Sequence, residues 1–275
     1  MESFSADWLA LREPADHTAR DAGPAAALTA ALASRLVGRP GTRAVDLAAG
    51  TGSNVRYLMP RVPHIQHWTL VDHDPALLAH AWRLLLPIGA AAGRSYDVRQ
   101  GDLAALDTVS FDACALVTAS ALLDLVSEPW LRALASRCRA ADSDALFALT
   151  YDGRITCHPV DVDDARVGGL VNQHQRGEKG FGPALGPDAT RVAAACFRAE
   201  GYDVHVATSD WLLRPDHHEL QRALVEGWAS AARELVPADA ATIDGWRARR
   251  LAHVDARRSH LRVGHCDLAA WASRP

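Results

Sequence analysis

The fold is decided by residues 44–54, Ala44-Val45-Asp46-Leu47-Ala48-Ala49-Gly50-Thr51-Gly52-Ser53-Asn54. A short apolar run ends at an acid, and a loop with two glycines and then a helix-like segment follow it. This order predicts a strand, a tight loop and a helix. Gly50 and Gly52 carry no Cβ, so the loop can adopt positive φ and let a ligand lie against the backbone.

Strand-like and helix-like patterns alternate after this stretch. Asp74 and Pro75, for example, begin a helical pattern with an acid at the cap and a proline in the first turn. The alternation predicts right-handed crossovers and a doubly wound α/β fold, with a mostly parallel seven-stranded sheet and helices on both faces. The predicted strands cover residues 43–47, 68–72, 96–100, 111–118, 145–150, 202–207 and 260–271.

The alternation stops between residues 152 and 187. The segment His174-Gln175-Arg176-Gly177-Glu178-Lys179-Gly180-Phe181-Gly182-Pro183 is rich in glycine and charge. A loop this long inside a compact domain usually covers or binds a ligand, so we expect a lid here. Helical periodicity then fills most of residues 216–258, which predicts a helical insertion before the last strand.

The composition disfavours several classes of protein. A net charge of -4 gives no general attraction to nucleic acid or to an anionic membrane. The five cysteines are scattered without CxxC spacing, so we expect neither a metal site nor a disulfide framework. No apolar run approaches the roughly 20 residues of a membrane span. The first residues also lack a signal-peptide pattern, so we expect a cytoplasmic protein.

Acidic residues close two of the predicted strands. Asp72 ends the second strand, twenty residues after Gly52, and Asp102 follows the third strand. In an open α/β sheet, ligands bind beyond the carboxyl ends of the strands, where the strand order reverses. A carboxylate at Asp72 can there accept hydrogen bonds from both hydroxyls of a ribose. The sequence therefore predicts a nucleoside-binding site at this edge of the sheet.

The glycine loop disfavours a dinucleotide such as NAD as the ligand. The dinucleotide fingerprint needs a third glycine, so that helix and strand pack closely around a pyrophosphate. Val55 stands at that position, and Ala48 stands where the first glycine would be. An NAD-dependent oxidoreductase is therefore a weak alternative.

Over about residues 40–151, the chain resembles the class I S-adenosylmethionine-dependent methyltransferases. The resemblance is carried by Asp46, Gly50, Gly52, Asp72 and Asp102, which match the motifs of that family. The resemblance implies S-adenosyl-L-methionine as cofactor and methyl transfer as reaction. It also implies that the Asp102 carboxylate accepts a hydrogen bond from the adenine amino group. By matching position, the other cofactor-binding residues would be Ala48, Thr51, Asn54, His73, Leu103 (packed on the base) and Thr118.

The N-terminal helical segment contains an arginine pattern with two interpretations. Arg12, Asp16 and Arg20 recur every fourth residue. They form either a solvated ladder of ion pairs, each contributing about 0.3–0.5 kcal/mol, or a surface that meets a cofactor or substrate carboxylate. Of these residues, we assign Arg20 to the cofactor site.

We expect one domain spanning residues 1–275. Its parts are an N-terminal helical cap (1–40), a cofactor-binding core (41–151), a lid or acceptor loop (152–187) and the second half of the sheet (188–275), which holds the helical insertion 216–258.

Three residues are considered as the general base that a phenol or amine acceptor would need. They are His174 in the expected loop, His158 before Pro159, and Asp124 after the fourth strand. Each also has an ordinary interpretation, since Asp124 suits a helix cap and both histidines suit a solvated loop.

The sequence thus predicts a methyltransferase for a small-molecule acceptor, with no nucleic-acid partner and no membrane. A homodimer is compatible with this prediction. Two alternatives stay open: an RNA or tRNA methyltransferase, and a partner protein that binds adenosylmethionine or a nucleotide without turnover. The acidic balance weakens the first, and the cluster Arg247, Arg249, Arg250, Arg257 and Arg258 suits a solvated helix face better than an RNA surface.

Overall fold

The structure is a computed structural model that describes residues 4–21, 23–37, 39 and 42–272. In the described residues, eight strands form one sheet with helices on both faces. The strands are β1 (Arg43–Leu47), β2 (His67–Asp72), β3 (Ser95–Gln100), β4 (Cys114–Ser120), β5 (Asp144–His158), β6 (Tyr202–Thr208), β7 (Trp211–Leu213) and β8 (His260–Ala272). The helices are α1 (Ala6–Arg20), α2 (Gly23–Leu36), α3 (Ser53–Leu58), α4 (Pro75–Ala92), α5 (Glu128–Ala140), α6 (Asp164–His174), α7 (Ala189–Ala199), α8 (His218–Leu235) and α9 (Ala240–Asp255).

The strand order places the ligand edge where the sequence predicted it. The order is β3-β2-β1-β4-β5-β8-β6, with β7 paired to β8. Strands β1 to β5 are parallel, and β8 runs antiparallel to β5, β6 and β7. The order reverses at β1, which lies between β2 and β4, so the carboxyl ends of these three strands border one crevice. The predicted number of seven strands is corrected to eight, because the three-residue β7 is too short to show a period.

Alternate residues of the central strands fill two apolar clusters, one on each face of the sheet. Val45 of β1 and Val117 of β4 pack with α5 and α7. Their chain neighbours Ala44 and Leu116 pack on the other face with α2, α3 and α4. These two layers fix the directions of the central strands, and thereby the loops at their carboxyl ends.

Helix α4 is the one helix of the described residues that is long and apolar enough to cross a membrane. No run of that kind was expected from the sequence. Leu77, Leu78 and Leu85 of α4 are nevertheless buried, and the helix packs against β2 and β3. Asp74 caps it, with its Oδ1 accepting a hydrogen bond from the Ala76 amide at 2.8 Å. We therefore interpret α4 as a helix that covers the sheet.

The prediction of a long loop over residues 152–187 is wrong for much of that range. Strand β5 continues to His158, and α6 occupies Asp164–His174. The cause is long-range pairing, since β8 runs beside β5 from the pair Ala145–Ala270 to the pair His158–His260. Irregular structure is confined to the short connection 159–163 and to residues 175–185, which we call the 175–185 loop.

A third apolar cluster joins the extended ends of β5 and β8 to β7, α6, α8 and α9. Trp211, Trp228 and Trp246 are buried within it. Ala15 and Ala19 of α1 belong to the same cluster. The N-terminal helix is thereby packed onto the carboxyl side of the sheet, directly above the glycine loop.

We predict that Gly52→Ala lowers the free energy of unfolding by about 2–4 kcal/mol. Gly52 has φ +79°, and an added Cβ would lie 3.2 Å from Leu70 Cδ2 and 3.2 Å from Leu85 Cδ1. Backbone strain of about 1–2 kcal/mol and overpacking of about 1–3 kcal/mol should therefore combine. Gly93 is the matched control, because it has φ +64° but no atom within 4 Å of an added Cβ. Urea unfolding should show a smaller loss for Gly93→Ala, and equal losses would contradict the packing argument.

Candidate functional site

One cavity lies beyond the carboxyl ends of β1, β2 and β4. It contains about 940 Å³ of space, a figure that includes open solvent. Helix α1 and the 175–185 loop form the remaining walls. The lining residues are Phe4, Leu9, Arg12, Asp16, Ala48, Ala49, Gly50, Thr51, Ser53, Asn54, Asp72, His73, Leu77, Ser120, Ala121, Leu122, Leu125, Lys179 and Phe181.

The glycine loop forms the floor of this cavity and leads into α3. Gly50 has φ +52° and Gly52 has φ +79°, as expected for a loop that needs two residues without a Cβ. Leu9 of α1 lies directly over Gly50, since its Cδ1 would be 3.0 Å from an added Cβ. A side chain at position 50 would therefore collide with the helix that covers the loop.

Asp72 is held against the glycine loop. Its buried carboxylate accepts a hydrogen bond from the Gly50 amide through Oδ2, at 2.8 Å. Oδ1 accepts a second bond from the Asp74 amide at 2.9 Å and lies 3.1 Å from His73 Nδ1. The structure thus brings together Asp72, His73 and Gly50, which the sequence placed in one site. Their role in ligand binding stays a prediction.

Behind the cavity lies a buried polar network centred on Asn54. Its Nδ2 donates to Asp46 Oδ1 at 2.6 Å and to Thr118 Oγ1 at 3.1 Å, and its Oδ1 accepts from Arg20 Nη1 at 2.8 Å. Arg20 also lies 3.5 Å from the Asp267 carboxylate. Asp46, Thr118 and Arg20 were predicted to touch the cofactor, but they do not line the cavity. They hold Asn54, which does.

Burial raises the pKa of Asp46 to about 7, opposed by the hydrogen bond from Asn54 and by the charge of Arg20. A free aspartate ionises near pH 4, so the folded protein binds a proton at Asp46 that the unfolded chain releases. The proton on Asp46 therefore adds to the free energy of unfolding. This contribution is complete below about pH 4 and is lost as pH rises through 7. Between pH 5 and 8, we expect the wild type to lose about 2–3 kcal/mol of unfolding free energy relative to Asp46→Asn.

Urea unfolding of the wild type and Asp46→Asn at pH 5, 6, 7 and 8 measures this difference. The exposed Asp107, replaced by asparagine, is the control and should show no such divergence. A constant difference between wild type and Asp46→Asn across the series would show that Asp46 does not titrate there.

Asp102 and Leu103 lie at the edge of the crevice but do not line the cavity. The Gly101 amide donates to the Asp72 carbonyl at 2.9 Å, so the ends of β2 and β3 meet. The exposed Asp102 accepts a hydrogen bond from the Ala104 amide through Oδ1, at 2.9 Å, as an ordinary turn acid does. Leu103 is buried in the core, and its carbonyl accepts from Trp130 Nε1 at 2.7 Å. Leu103 therefore has no surface facing the cavity.

Two of the three residues considered as the base lie away from the cavity. His174 ends α6, and its Nε2 is 3.0 Å from Glu234 Oε2. His158 ends β5, with its ring 6.3 Å from that of His260. Neither lines the cavity. Neither histidine is therefore placed to act as the base in this cavity.

Asp124 differs from both histidines. Asp124 does not line the cavity itself, but it is buried between Leu122 and Leu125, which both do. Its Oδ1 has no hydrogen-bond partner within the described residues. Burial raises the pKa of Asp124 to about 6. Backbone amides and the charges of Arg12 and Lys179 oppose the rise. An acid with these properties can accept a proton near neutral pH.

The sequence did not identify Leu9, Arg12 and Asp16 as one wall of the cavity. Leu9 and Arg12 are three residues apart and Asp16 is four further on, so they share a helix face. The i, i+3, i+7 spacing was a usable signal. No group of three or more histidine, cysteine, aspartate or glutamate residues that could hold a metal ion occurs in residues 4–21, 23–37, 39 and 42–272.

Comparison with solved structures identifies the fold. The YcgJ protein from Bacillus subtilis is 15% identical, with a TM-score of 0.51 over 90% of this chain and 100% of that one. The cyclopropane synthase MmaA2 from Mycobacterium tuberculosis is 12% identical, with a TM-score of 0.50 over 97% of this chain and 94% of that one. A SAM-dependent methyltransferase from Thiobacillus denitrificans, in complex with S-adenosyl-L-homocysteine, is 18% identical, with a TM-score of 0.48 over 99% and 100% of the two chains.

No family model matches the chain, and no curated protein matches it. At identities this low, the structural likeness concerns the fold alone. Together with the strand order, it shows that the chain has the class I S-adenosylmethionine-dependent methyltransferase fold, which confirms the resemblance seen in the sequence.

Proposed function

We propose that this protein is an S-adenosylmethionine-dependent methyltransferase that acts on a small molecule. The observation that carries the proposal is the hydrogen bond between the Asp72 carboxylate and the Gly50 amide, at the point where the strand order reverses. This contact holds a carboxylate, which would accept hydrogen bonds from the ribose hydroxyls, beside a loop that allows close backbone approach. The solved neighbour from Thiobacillus denitrificans is described as a complex with S-adenosyl-L-homocysteine.

The cavity fits this cofactor. Its floor includes Gly50, which has no Cβ, and its side carries the Asp72 carboxylate. Asp72 and His73 would hold the adenosyl end, and the glycine loop with Asn54 would hold the methionyl end. When bound, the cofactor supplies an electrophilic methyl group on a sulfonium. The network of Asp46, Thr118 and Arg20 would keep Asn54 in place.

The protein itself orients the acceptor and handles the proton. Ser120, Leu122 and Leu125 form the wall that follows β4, where the acceptor would lie. Holding an acceptor in a near-attack position accounts for much of the acceleration in such reactions. Asp124, behind this wall, would take the proton from a phenol or an ammonium group. Phe181 closes the cavity from the 175–185 loop, which is the part of the expected lid that reaches the site.

A small acceptor is favoured over RNA by the pairing of the arginines. Arg249 binds the carboxylates of Asp161 and Asp163, and Arg250 binds that of Asp164. Arginines occupied in this way are poorly placed to neutralise phosphates. The net charge of -4 also gives no general attraction to nucleic acid. We further propose a cytoplasmic location, since α4 packs on the sheet.

The test is transfer of a labelled methyl group from S-adenosylmethionine to a panel of phenols, amines and carboxylic acids, with total tRNA as a separate acceptor. We expect label in the small-molecule fraction and none in the tRNA. Asp72→Ala is the matched inactive variant. Label in tRNA would support the RNA alternative. Cofactor binding with no transfer to any acceptor would support the non-catalytic alternative.

A further inference from the structure

The guanidinium of Arg12 is held rigidly on two sides. Its Nε lies 2.9 Å from Asp16 Oδ2 and its Nη2 lies 3.2 Å from Asp16 Oδ1, so one edge forms a bidentate pair. The ring of Trp211 lies 5.0 Å from its Cζ. Trp211 Nε1 also donates to Asp16 Oδ1 at 3.0 Å, which locks the three side chains together. Such an arginine is preorganised, and little entropy is lost when it binds a further group.

The other edge of Arg12 remains available to a ligand. Arg12 lines the cavity, and its Nη1 makes no hydrogen bond to the described residues and is not among their buried unsatisfied atoms. Arginine presents a planar fork of donors that matches a carboxylate with two parallel hydrogen bonds. A guanidinium occupied on one edge only is therefore a ready site for a second planar anion.

Arg12 lies beside the part of the cavity that follows β4. Leu9, one turn earlier on the same face of α1, covers Gly50, whereas Arg20 points about 80° away and binds Asn54. Arg12 contacts β7 through Trp211, and its charge acts on Asp124, which follows β4. These contacts place Arg12 beside the wall that follows β4, where the acceptor would lie.

We propose that the methyl acceptor carries a carboxylate, which binds the free edge of Arg12. This proposal rests on the proposed function and names the chemical class of its acceptor. Asp16 is then a positioning residue, because it holds the guanidinium and does not itself touch the carboxylate.

The experiment first measures binding of S-adenosylhomocysteine by calorimetry, which tests the proposed function separately. The saturated complex is then titrated with three acid–amide pairs: acetate and acetamide, benzoate and benzamide, and 4-hydroxyphenylacetate and its amide. Ligand-observed NMR gives the affinities. In at least one pair, we expect the acid to bind tenfold or more tightly than its amide. Arg12→Gln should abolish that preference and leave the affinity for S-adenosylhomocysteine within threefold.

Arg12→Lys and Arg132→Gln are the companion variants. Lysine keeps the charge but loses the fork, so the preference for the acid should be intermediate. The exposed Arg132 lies on α5 and should have no effect. Equal binding of acid and amide in all three pairs would overturn the proposal. So would a tenfold loss of S-adenosylhomocysteine affinity in Arg12→Gln with the acid preference intact, since Arg12 would then serve the carboxylate of the cofactor.

Discussion

Replacing Asp72 by alanine should weaken binding of S-adenosylhomocysteine by at least about 100-fold. The variant loses two hydrogen bonds from ribose hydroxyls to a buried carboxylate, each contributing about 1.5–3 kcal/mol. It also releases the Gly50 amide, which donates to Asp72 at 2.8 Å and thereby fixes the loop. Both effects act on the bound state, so the loss should exceed that of a single contact. Calorimetric titration of the two proteins measures it.

Two further variants separate the effects of Asp72. Asp72→Asn keeps an oxygen for the Gly50 amide but removes the charge, so its loss of affinity should be smaller. Asp97→Ala changes a half-exposed acid on β3 that lies 3.2 Å from His67, and it should bind like the wild type. Normal binding by Asp72→Ala would show that the cofactor site is wrongly assigned.

Asp124→Asn should lower kcat by about 10²–10⁴-fold for an acceptor that must lose a proton. Asparagine has nearly the same shape but cannot accept the proton. The affinity for S-adenosylhomocysteine should stay within about threefold, because Asp124 follows β4, whereas the glycine loop follows β1. Single-turnover kinetics with the acceptor found in the transfer assay separate this effect from binding and product release.

The pH profile gives an independent readout of the same residue. Because the pKa of Asp124 is raised to about 6, its carboxyl is ionised and able to accept a proton only above that pH. The wild-type kcat/KM should therefore rise about tenfold per pH unit below 6 and level off above it. Asp124→Asn should lack this limb, whereas the exposed Asp112, replaced by asparagine, should keep it. An unchanged limb in Asp124→Asn would assign the titration to another group.

The central strands could be predicted from the sequence because their signals are local. Residues 43–54 combine a β-forming run, an acid and two glycines, and the structure places β1, the loop and α3 at the expected residues. Asp74 and Pro75 likewise mark the start of α4. Where propensity, capping and turn residues all favour the same local structure, tertiary packing does not change it, so the prediction succeeds.

The second half of the chain was harder to predict because its structure depends on distant partners. Residues 152–158 become a strand only through pairing with β8, about a hundred residues away. Helix α6 contains Gly168 and Gly169, each of which lowers helix propensity by about 1 kcal/mol. Val167 and Val171 bury one side of that helix against the third apolar cluster, and this packing overrides the propensity.

The cavity could be predicted in outline, but the wall that α1 contributes to it could not. Arg12, Asp16 and Arg20 repeat every fourth residue, but a helix turns by about 400° over four residues, so the direction shifts by about 40° at each step. Arg12 and Arg20 thus point about 80° apart. Arg20 is buried against Asn54, and Arg12 lines the cavity. The spacing alone does not show which of the two faces the ligand.

The most direct test of the whole account is calorimetric titration of the wild-type protein with S-adenosylhomocysteine and, separately, with NAD. We expect saturable one-to-one binding of S-adenosylhomocysteine and no heat from NAD. Binding of NAD without S-adenosylhomocysteine would contradict the assignment of the glycine loop and Asp72 to an adenosyl sulfonium cofactor, and so would the absence of binding for both.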